Sequence, residues 1–533
     1  MAQATGEPAV GRAGGGKPGP HLLLRLHAFN TPDKVAVVAA GTGERFTYAE
    51  FDQRICRLAH ALARMGVGPG TSVALMLKNC HQYLEIQFAL QHLRATIVQV
   101  GYRLKAPEVA YILENSQSKV FLFNPEYQDT AKEAAKTAGL RESSLVIVGE
   151  GPSAGLARYE EIIDAAGPQS APPVSQVEGN PGLMVYTSGT TGKPKGAMRD
   201  LKKTGIGQVF AFMSKLPISH DDRHLAVCPL YHSAAPAFVM LTFLVGGTVV
   251  VMEHFEPEEV LKTIEFERIT STMMVPTMYS RIVNLPKETL RKYDSSSLRW
   301  MMSGAAPLPT ALAGKIEDTL GQILYNFYGA TETGFVTVAM PGEHTARPGT
   351  IGRAVDGNDI RFLDDHGNEV AEGQVGELWV ANSMLISGYY RNDDATKKSK
   401  REGYFTVGDL GRRDEDGYIY LADRKIDMVI SGGVNIYPLE IEEHLHKHPS
   451  IMDAAVVGVP DEEWGEALCA FIVMRPGEKL SVDDVRSYVK KDLADFKKPK
   501  YVIFIDALPR NPTGKVLKRE LRDQAKAQMS ATA

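Results

Sequence analysis

Residues 186–196 read YTSGTTGKPKG: three glycines, four Ser or Thr hydroxyls and two lysines in one short segment. The segment follows the apolar run LMVYT (183–187), which reads as a strand. Glycines let a backbone approach an anion and accept positive φ. Successive N–H groups then form an anion-binding nest. Thr187, Ser188, Gly189, Thr190, Thr191 and Gly192 offer hydroxyls and N–H groups, while Lys193 and Lys195 add charge. A loop of this kind after a strand is a usual phosphate site in α/β proteins. The P-loop of nucleotide kinases does not fit. Thr187 stands where that pattern needs glycine, and Pro194 stands where it needs a Ser or Thr hydroxyl for a metal ion.

Working outward, short β-branched runs recur between helical patterns: SVALML (72–77), KVFLF (119–123), LVIV (145–148), HLAVC (224–228), TVVVM (248–252) and STMMVP (271–276). This alternation predicts βαβ units with helix-covered sheets. AFVMLTFLVGGTVVVM (237–252) is the longest apolar run; it is too short for a membrane span and Gly246-Gly247 breaks it into a helix and a strand. After about residue 340, GELWVAN (376–382) and YFTVGDLGRRDEDGYIYLADR (404–424) read as antiparallel hairpins forming a β-barrel-like subdomain. A compact α+β unit follows.

The expected division is a disordered leader at 1–20, a large N-terminal domain at 21–422, a hinge at 423–427, a small mobile lid at 428–525 and a flexible tail at 526–533. The net charge of −5 argues against a general nucleic-acid binder. Cys56, Cys80, Cys228 and Cys469 form no CxxC pair, which fits a reducing, cytoplasmic setting. His444 and His448 share a helix face but lack a third ligand at metalloprotease spacing, so no metal site is expected there.

With YTSGTTGKPKG go YNFYGATETG (325–334), SGAAPL (303–308), GYFTVGDLGRRDEDGYIYLADRKIDMVISGG (403–433) and NPTGKVLKREL (511–521). Together these resemble the signatures of the adenylate-forming superfamily, over about residues 22–525. The superfamily contains acyl-CoA synthetases, luciferases and peptide-synthetase adenylation domains. GVPDEEWGEALCA (458–470), the absence of a downstream carrier domain and the lack of an acid near 235 favour the CoA-ligase branch.

The resemblance implies ATP, Mg²⁺ and CoA as partners of a small-molecule carboxylic acid. Gly304, Ala305 and Ala306 would line the adenine with Asn326, Phe327, Tyr328 and Gly329. Thr331 would touch the α-phosphate and Glu332 would bind Mg²⁺, a hard cation that prefers oxygen. Asp409 would hold the ribose and Arg424 the nucleotide. Lys515 would be the catalytic lysine, an always-charged amine stabilising the negative charge that builds as a carboxylate attacks the α-phosphate. Ser431, Gly432, Gly433 and Trp464 would line the CoA channel, with the lid swinging about Lys425 and Ile426 between the two half-reactions. Oligomeric state is left open, with a homodimer as one option.

Two departures stand out. Ile426 occupies a hinge position where relatives carry Asp or Lys, and AMRDLKK (197–203) lacks a histidine that relatives often have, with Arg199 read as exposed. His232 matches the position beside the substrate carboxylate. The acyl pocket is expected from His232, Ala234, Ala235, Phe238 and Val239, facing Ala305, Gly329 and Ala330. No charge is expected there to pair with a second carboxylate or an amine, and an unpaired buried charge would be costly. The acid is therefore expected to be an apolar monocarboxylate. A medium- or long-chain fatty acid comes ahead of an aryl or arylpropenoic acid, and an adenylate-forming enzyme with an acceptor other than CoA is the other alternative.

Overall fold

The computed structural model describes residues 20–167, 181–187, 194–201, 205–511 and 514–532. Two large sheets form the body. An eight-stranded sheet is mostly parallel and has the strand Gly182–Thr187 next to Thr96–Gln99 on one side and Lys195–Asp200 on the other. A nine-stranded sheet runs through Arg223–Ala226, Ser271–Met274, Trp300–Ser303 and Leu324–Ala330. The β-branched runs read from the sequence are the strands of these two sheets.

Helices Tyr48–Arg64, His81–His92 and Ala234–Leu244 contribute to one continuous core together with residues of both sheets. The first of these starts where its sequence says it should. Thr47 accepts from the Glu50 N–H, and Glu50 in turn accepts from the Thr47 N–H at 2.8 Å, a reciprocal cap. Ala234–Leu244 ends before Gly246, whose φ of +78° turns the chain into the buried strand Thr248–Val251. Among the described residues, no helix is long and apolar enough to cross a membrane.

A six-stranded antiparallel sheet from Asp359 to Arg424 follows, where the hairpins were expected. Its last strand, Ile419–Arg424, leads into the C-terminal unit. That unit is built on a five-stranded sheet whose long hairpin pairs Ile451–Asp461 with Gly465–Met474. Alternation along this hairpin feeds two cores. Val456, Leu468 and Ala470 pack on one face; Val457, Cys469 and Phe471 pack on the other. Helix Lys518–Thr532 covers the second face with Leu521 and Ala525. The expected flexible tail from 526 is thus the end of this helix.

Candidate active site

A cleft of about 3020 Å³ opens between the N-terminal body and the C-terminal unit. The strands Gly182–Thr187 and Lys195–Asp200 form an antiparallel pair flanking the glycine-rich loop. Ser188, Gly189, Thr190, Thr191, Gly192 and Lys193 lie outside the described residues. At the mouth of the pair, Thr187 stands opposite Lys195. Thr187 Oγ1 donates to Glu332 Oε1 at 3.3 Å, and the Tyr389 hydroxyl donates to the same oxygen at 3.1 Å. Lys195 Nζ lies 5.2 Å from the centre of the Tyr389 ring. Tyr389, missed in the sequence, therefore ties the phosphate-loop lysine to Glu332. Its signal was the apolar-aromatic run ISGYY (386–390), which carries no motif of its own.

Strand Leu324–Ala330 delivers the second group. The Tyr328 hydroxyl donates to Asp409 Oδ2 at 2.6 Å, and Arg424 Nε lies 3.2 Å from Asp409 Oδ1. Burial, followed by the Asp409 charge, holds the Tyr328 phenol well above its usual range. Asn326 is buried, and among the described residues its Oδ1 finds no hydrogen-bond partner, leaving an acceptor beside the cleft. Gly329 is required: a Cβ there would lie 2.0 Å from the Gly334 carbonyl oxygen. Gly304 packs beneath this strand, where a Cβ would fall 2.2 Å from the Phe327 ring. Ala305 lines the cleft with φ +65°, a strained conformation for a residue with a Cβ. Ala306 and Ala330 line the cleft as well.

His232 is half-buried at the cleft, its ring 4.2 Å from that of Tyr231. Burial pulls its pKa down to about 4, and among the described residues Nε2 has no hydrogen-bond partner, so it is neutral at pH 7. Ser233 Oγ lies 3.0 Å from Thr331 Oγ1, linking this segment to the ATETG turn.

The pocket helix turns a different face to the cavity from the one expected. Ala234, Ala237, Met240, Leu241 and Leu244 line the cleft. Phe238 and Val239 do not; both are fully buried in the core. The Phe238 ring packs 5.5 Å from Phe327 and 5.8 Å from Phe335. Helical geometry is the reason: positions 234, 237, 241 and 244 share one face, while 238 and 239 lie off it. Ala235 lines a small side cavity with His232 and Ala305.

The opposite wall comes in rows set by strand register. Thr187 pairs with Lys195; Gln99 and Ala197 flank Val185; Ile97 and Arg199 flank Leu183. Arg199 is not an exposed side chain. It lines the cleft, donating to the Thr331 carbonyl at 2.6 Å and to the Met384 carbonyl. Burial pulls its pKa down to about 10, while the charge of Glu332 opposes that shift. A charge is therefore present in the cavity wall where the sequence reading expected none.

Lys515 reaches the same cleft from the C-terminal unit. Gly514, with φ +76°, seats its loop against the N-terminal body; a Cβ there would lie 2.5 Å from Thr277 Oγ1. The Lys515 N–H donates to Asn511 Oδ1, and the Asn511 N–H donates to the Lys515 carbonyl, both at 2.9 Å. Burial, then the nearby Arg424 charge, pulls the Lys515 pKa down to about 8, against the pull of Asp409 and Asp427. Lys515, Arg424, Asp409 and Tyr328 thus converge. Ser431, Gly432, Gly433 and Trp464 do not join them. They form a turn held by a Gly432 N–H to Trp464 carbonyl bond of 2.9 Å, with Trp464 49% exposed.

A family model described as AMP-binding enzyme matches residues 24–390, and one described as AMP-binding enzyme C-terminal domain matches 440–515. The chain belongs to the AMP-binding enzyme family. Within the family it is 37% identical over 495 residues to a feruloyl-CoA synthase from Amycolatopsis sp, covering 92% of this chain and 96% of the relative. It is 32% identical over 507 residues to the long-chain-fatty-acid–CoA ligase FadD13 of Mycobacterium tuberculosis, covering 95% and 98%. Its fold superposes on ATP-bound MatB from Rhodopseudomonas palustris with a TM-score of 0.85 at 29% identity, over 96% and 99% of the two chains. The chain stands in the acyl-CoA synthetase branch of the family, as an AMP-forming acid–CoA ligase with ATP and CoA as substrates.

The site suits the Mg²⁺ expected for such an enzyme. Glu332 is buried at the cleft and is a hard oxygen donor. Among the described residues no cluster of three or more His, Cys, Asp or Glu could hold a metal. A single carboxylate plus substrate phosphates and water is the usual Mg²⁺ arrangement at nucleotide sites.

Proposed function

We propose that this ligase activates a carboxylic acid with an extended, mainly apolar body, a medium- or long-chain fatty acid in the first place. One observation carries the reading: the cavity walls. Val185, Leu183 and Ile97 face Ala237, Met240, Leu241 and Leu244, and the lining continues past them to Gln91 and Leu23. From the Thr187–Lys195 row to the Leu183–Arg199 row the wall runs roughly 13 Å at about 3.3 Å per residue. An extended hydrocarbon body matches the apolar side chains of this wall and of the pocket helix. The feruloyl-CoA synthase relative favours a second reading, an arylpropenoic acid.

In this proposal the acid carboxylate lies near Thr331 and neutral His232, where Nε2 can accept or donate one hydrogen bond without adding charge. Mg²⁺ on Glu332 would offset phosphate charge. Asp409, oriented by Tyr328 and Arg424, takes the ribose. Lys515 stabilises charge as it builds on the α-phosphate, giving acyl-AMP and pyrophosphate. The lid then turns about Lys425 and Ile426, and the CoA thiolate displaces AMP along a channel bearing Trp464 and Ser431–Gly433. The test is CoA-dependent AMP release across a panel of acids, with mass spectrometry of the acyl-CoA formed. Best turnover on amino acids or short dicarboxylates would sink the substrate assignment.

A further inference from the structure

Arg199 sits in the cavity wall on the row Ile97–Leu183–Arg199. A guanidinium has five N–H donors. Two meet the carbonyls of Thr331 and Met384. Among the described residues no carboxylate forms an ion pair with it. Glu332 acts on it only as a nearby charge, and Glu332 Oε1 already accepts from Thr187 and Tyr389. Leu183, paired with Arg199 in the sheet, has no side-chain acceptor, and neither do Ile206, Val209 and Phe335 of the same cavity lining. A hydrocarbon chain laid along this wall would strip water from the remaining donors and return nothing, and burying an unsatisfied charged group is costly.

A second polar group lies one row nearer the phosphate loop. Gln99 is buried in the same wall; its Nε2 donates to the Leu230 carbonyl at 3.4 Å, and among the described residues its Oε1 has no hydrogen-bond partner. The acyl cavity is therefore apolar along the pocket helix and polar at two defined points on the facing sheet.

We propose that the acyl group carries a hydrogen-bond-accepting oxygen on its otherwise apolar body (a ketone, ether or phenolic oxygen) and that Arg199 receives it. The inference rests on the acid–CoA ligase reading and adds a determinant to it. Arg199 is then a specificity residue, separate from its hold on the Thr331 carbonyl.

The experiment uses matched acids: a saturated fatty acid with its mid-chain oxo derivatives, and cinnamate with its 4-hydroxy-3-methoxy derivative. CoA-dependent AMP release gives kcat/KM for wild type, Arg199→Met and Arg199→Lys. Loss of the hold on Thr331 slows both members of a pair alike and cancels in their ratio. Wild type is expected to favour the oxygenated member of at least one pair about tenfold or more, the size of a charge-assisted hydrogen bond. Arg199→Met should bring that ratio to about one and Arg199→Lys should keep part of it. A wild type that favours the unsubstituted acids throughout, or a ratio that survives in Arg199→Met, overturns the proposal. If Arg199→Met does not fold, calorimetry on the wild type carries the same comparison with acyl-sulfamoyl-adenosine pairs. Equal affinities there overturn it too. An enzyme that gives no AMP release with any acid, with or without the oxygen, fails the ligase reading itself and takes this inference with it.

Discussion

The C-terminal unit carries two glycine-marked turns, and they meet opposite surroundings. Gly514 is buried against Thr277 and places Lys515 in the cleft beside Arg424 and Asp409. Gly432 and Gly433 face solvent with Trp464, away from the cleft. In the proposed cycle this unit would offer one of these faces at a time. The junction is polar: Lys518, paired with Glu442 inside the C-terminal unit, reaches Asp423, and Arg522 reaches Asp427. Ile426 at the junction is 56% exposed. A polar contact of this kind is the expected form where domains move. The arrangement seen is the one in which Lys515 can serve adenylate formation.

The sharpest way to break that comparison is to remove the docked face. Lys515→Met should slow adenylate formation by about 10²–10³, the usual size for losing one preorganised charge stabiliser. Acyl-CoA formation from supplied acyl-AMP should fall far less. Pyrophosphate release measures the first half and thioester yield the second; equal losses would show that Lys515 does not belong to one half only.

The docked face was also the more legible one. NPTGK and the ATETG turn are strings in which each residue has its own chemical duty, so local sequence suffices to find them. Orientation across elements was not legible. Phe238 and Val239 were placed in the pocket because they are apolar and follow His232, yet they point into the aromatic core while Met240 and Leu244 line the cavity. A check of helical period would have separated the two faces. Arg199 and Tyr389 were missed for another reason. Their partners, Thr331, Met384 and Glu332, are supplied by chain more than fifty residues away, and only strand pairing brings them together. The sheets were read well because alternating apolar runs report burial directly. The end of the last helix was missed because, among the described residues, only Ala525 and the partly buried Met529 mark its packed side there.

The exposed face can be removed in turn. Trp464→Ala should lower thioester formation about tenfold, the cost of losing one stacking aromatic in a binding channel. It should leave pyrophosphate release from acid and ATP unchanged. Loss of pyrophosphate release would instead tie Trp464 to the stability of the lid.

A pH series sharpens the contrast further. The folded pKa of Lys515 lies near 8, below its ordinary 10.5, so the free enzyme loses the charged amine as pH rises through about 8. Adenylate-half kcat/KM should therefore decline above that pH, while the thioester half from supplied acyl-AMP should show no such limb. For stability the sign is opposite. Burying the charged amine costs stability below pH 8, and that cost is relieved as pH rises towards 10.5. An adenylate half that stays flat to pH 10 would mean that the amine keeps its proton throughout.

The smallest expected effect lies at the junction, and it asks whether docking itself has been tuned. Lys518 Nζ lies 2.9 Å from Glu442 and 3.9 Å from Asp423, and Asp423 also accepts from the Leu439 N–H at 3.0 Å. Burial lifts the Asp423 pKa to about 6 even with Lys518 beside it, so this acid is under electrostatic strain in the docked state. Lys518→Met leaves two buried carboxylates facing each other and should weaken docking by about 1–2 kcal/mol, the rest of the cost being relieved as one of them takes up a proton. Adenylate formation should then slow severalfold. The thioester half, which needs the lid to leave this position, should be unchanged or faster. Adding Asp423→Asn removes the strained charge and should restore part of the adenylate rate. A double-mutant cycle on the two half-reactions reads the coupling. If both halves slow together in Lys518→Met and Asp423→Asn rescues neither, then the junction is a fixed structural contact and the lid turns elsewhere.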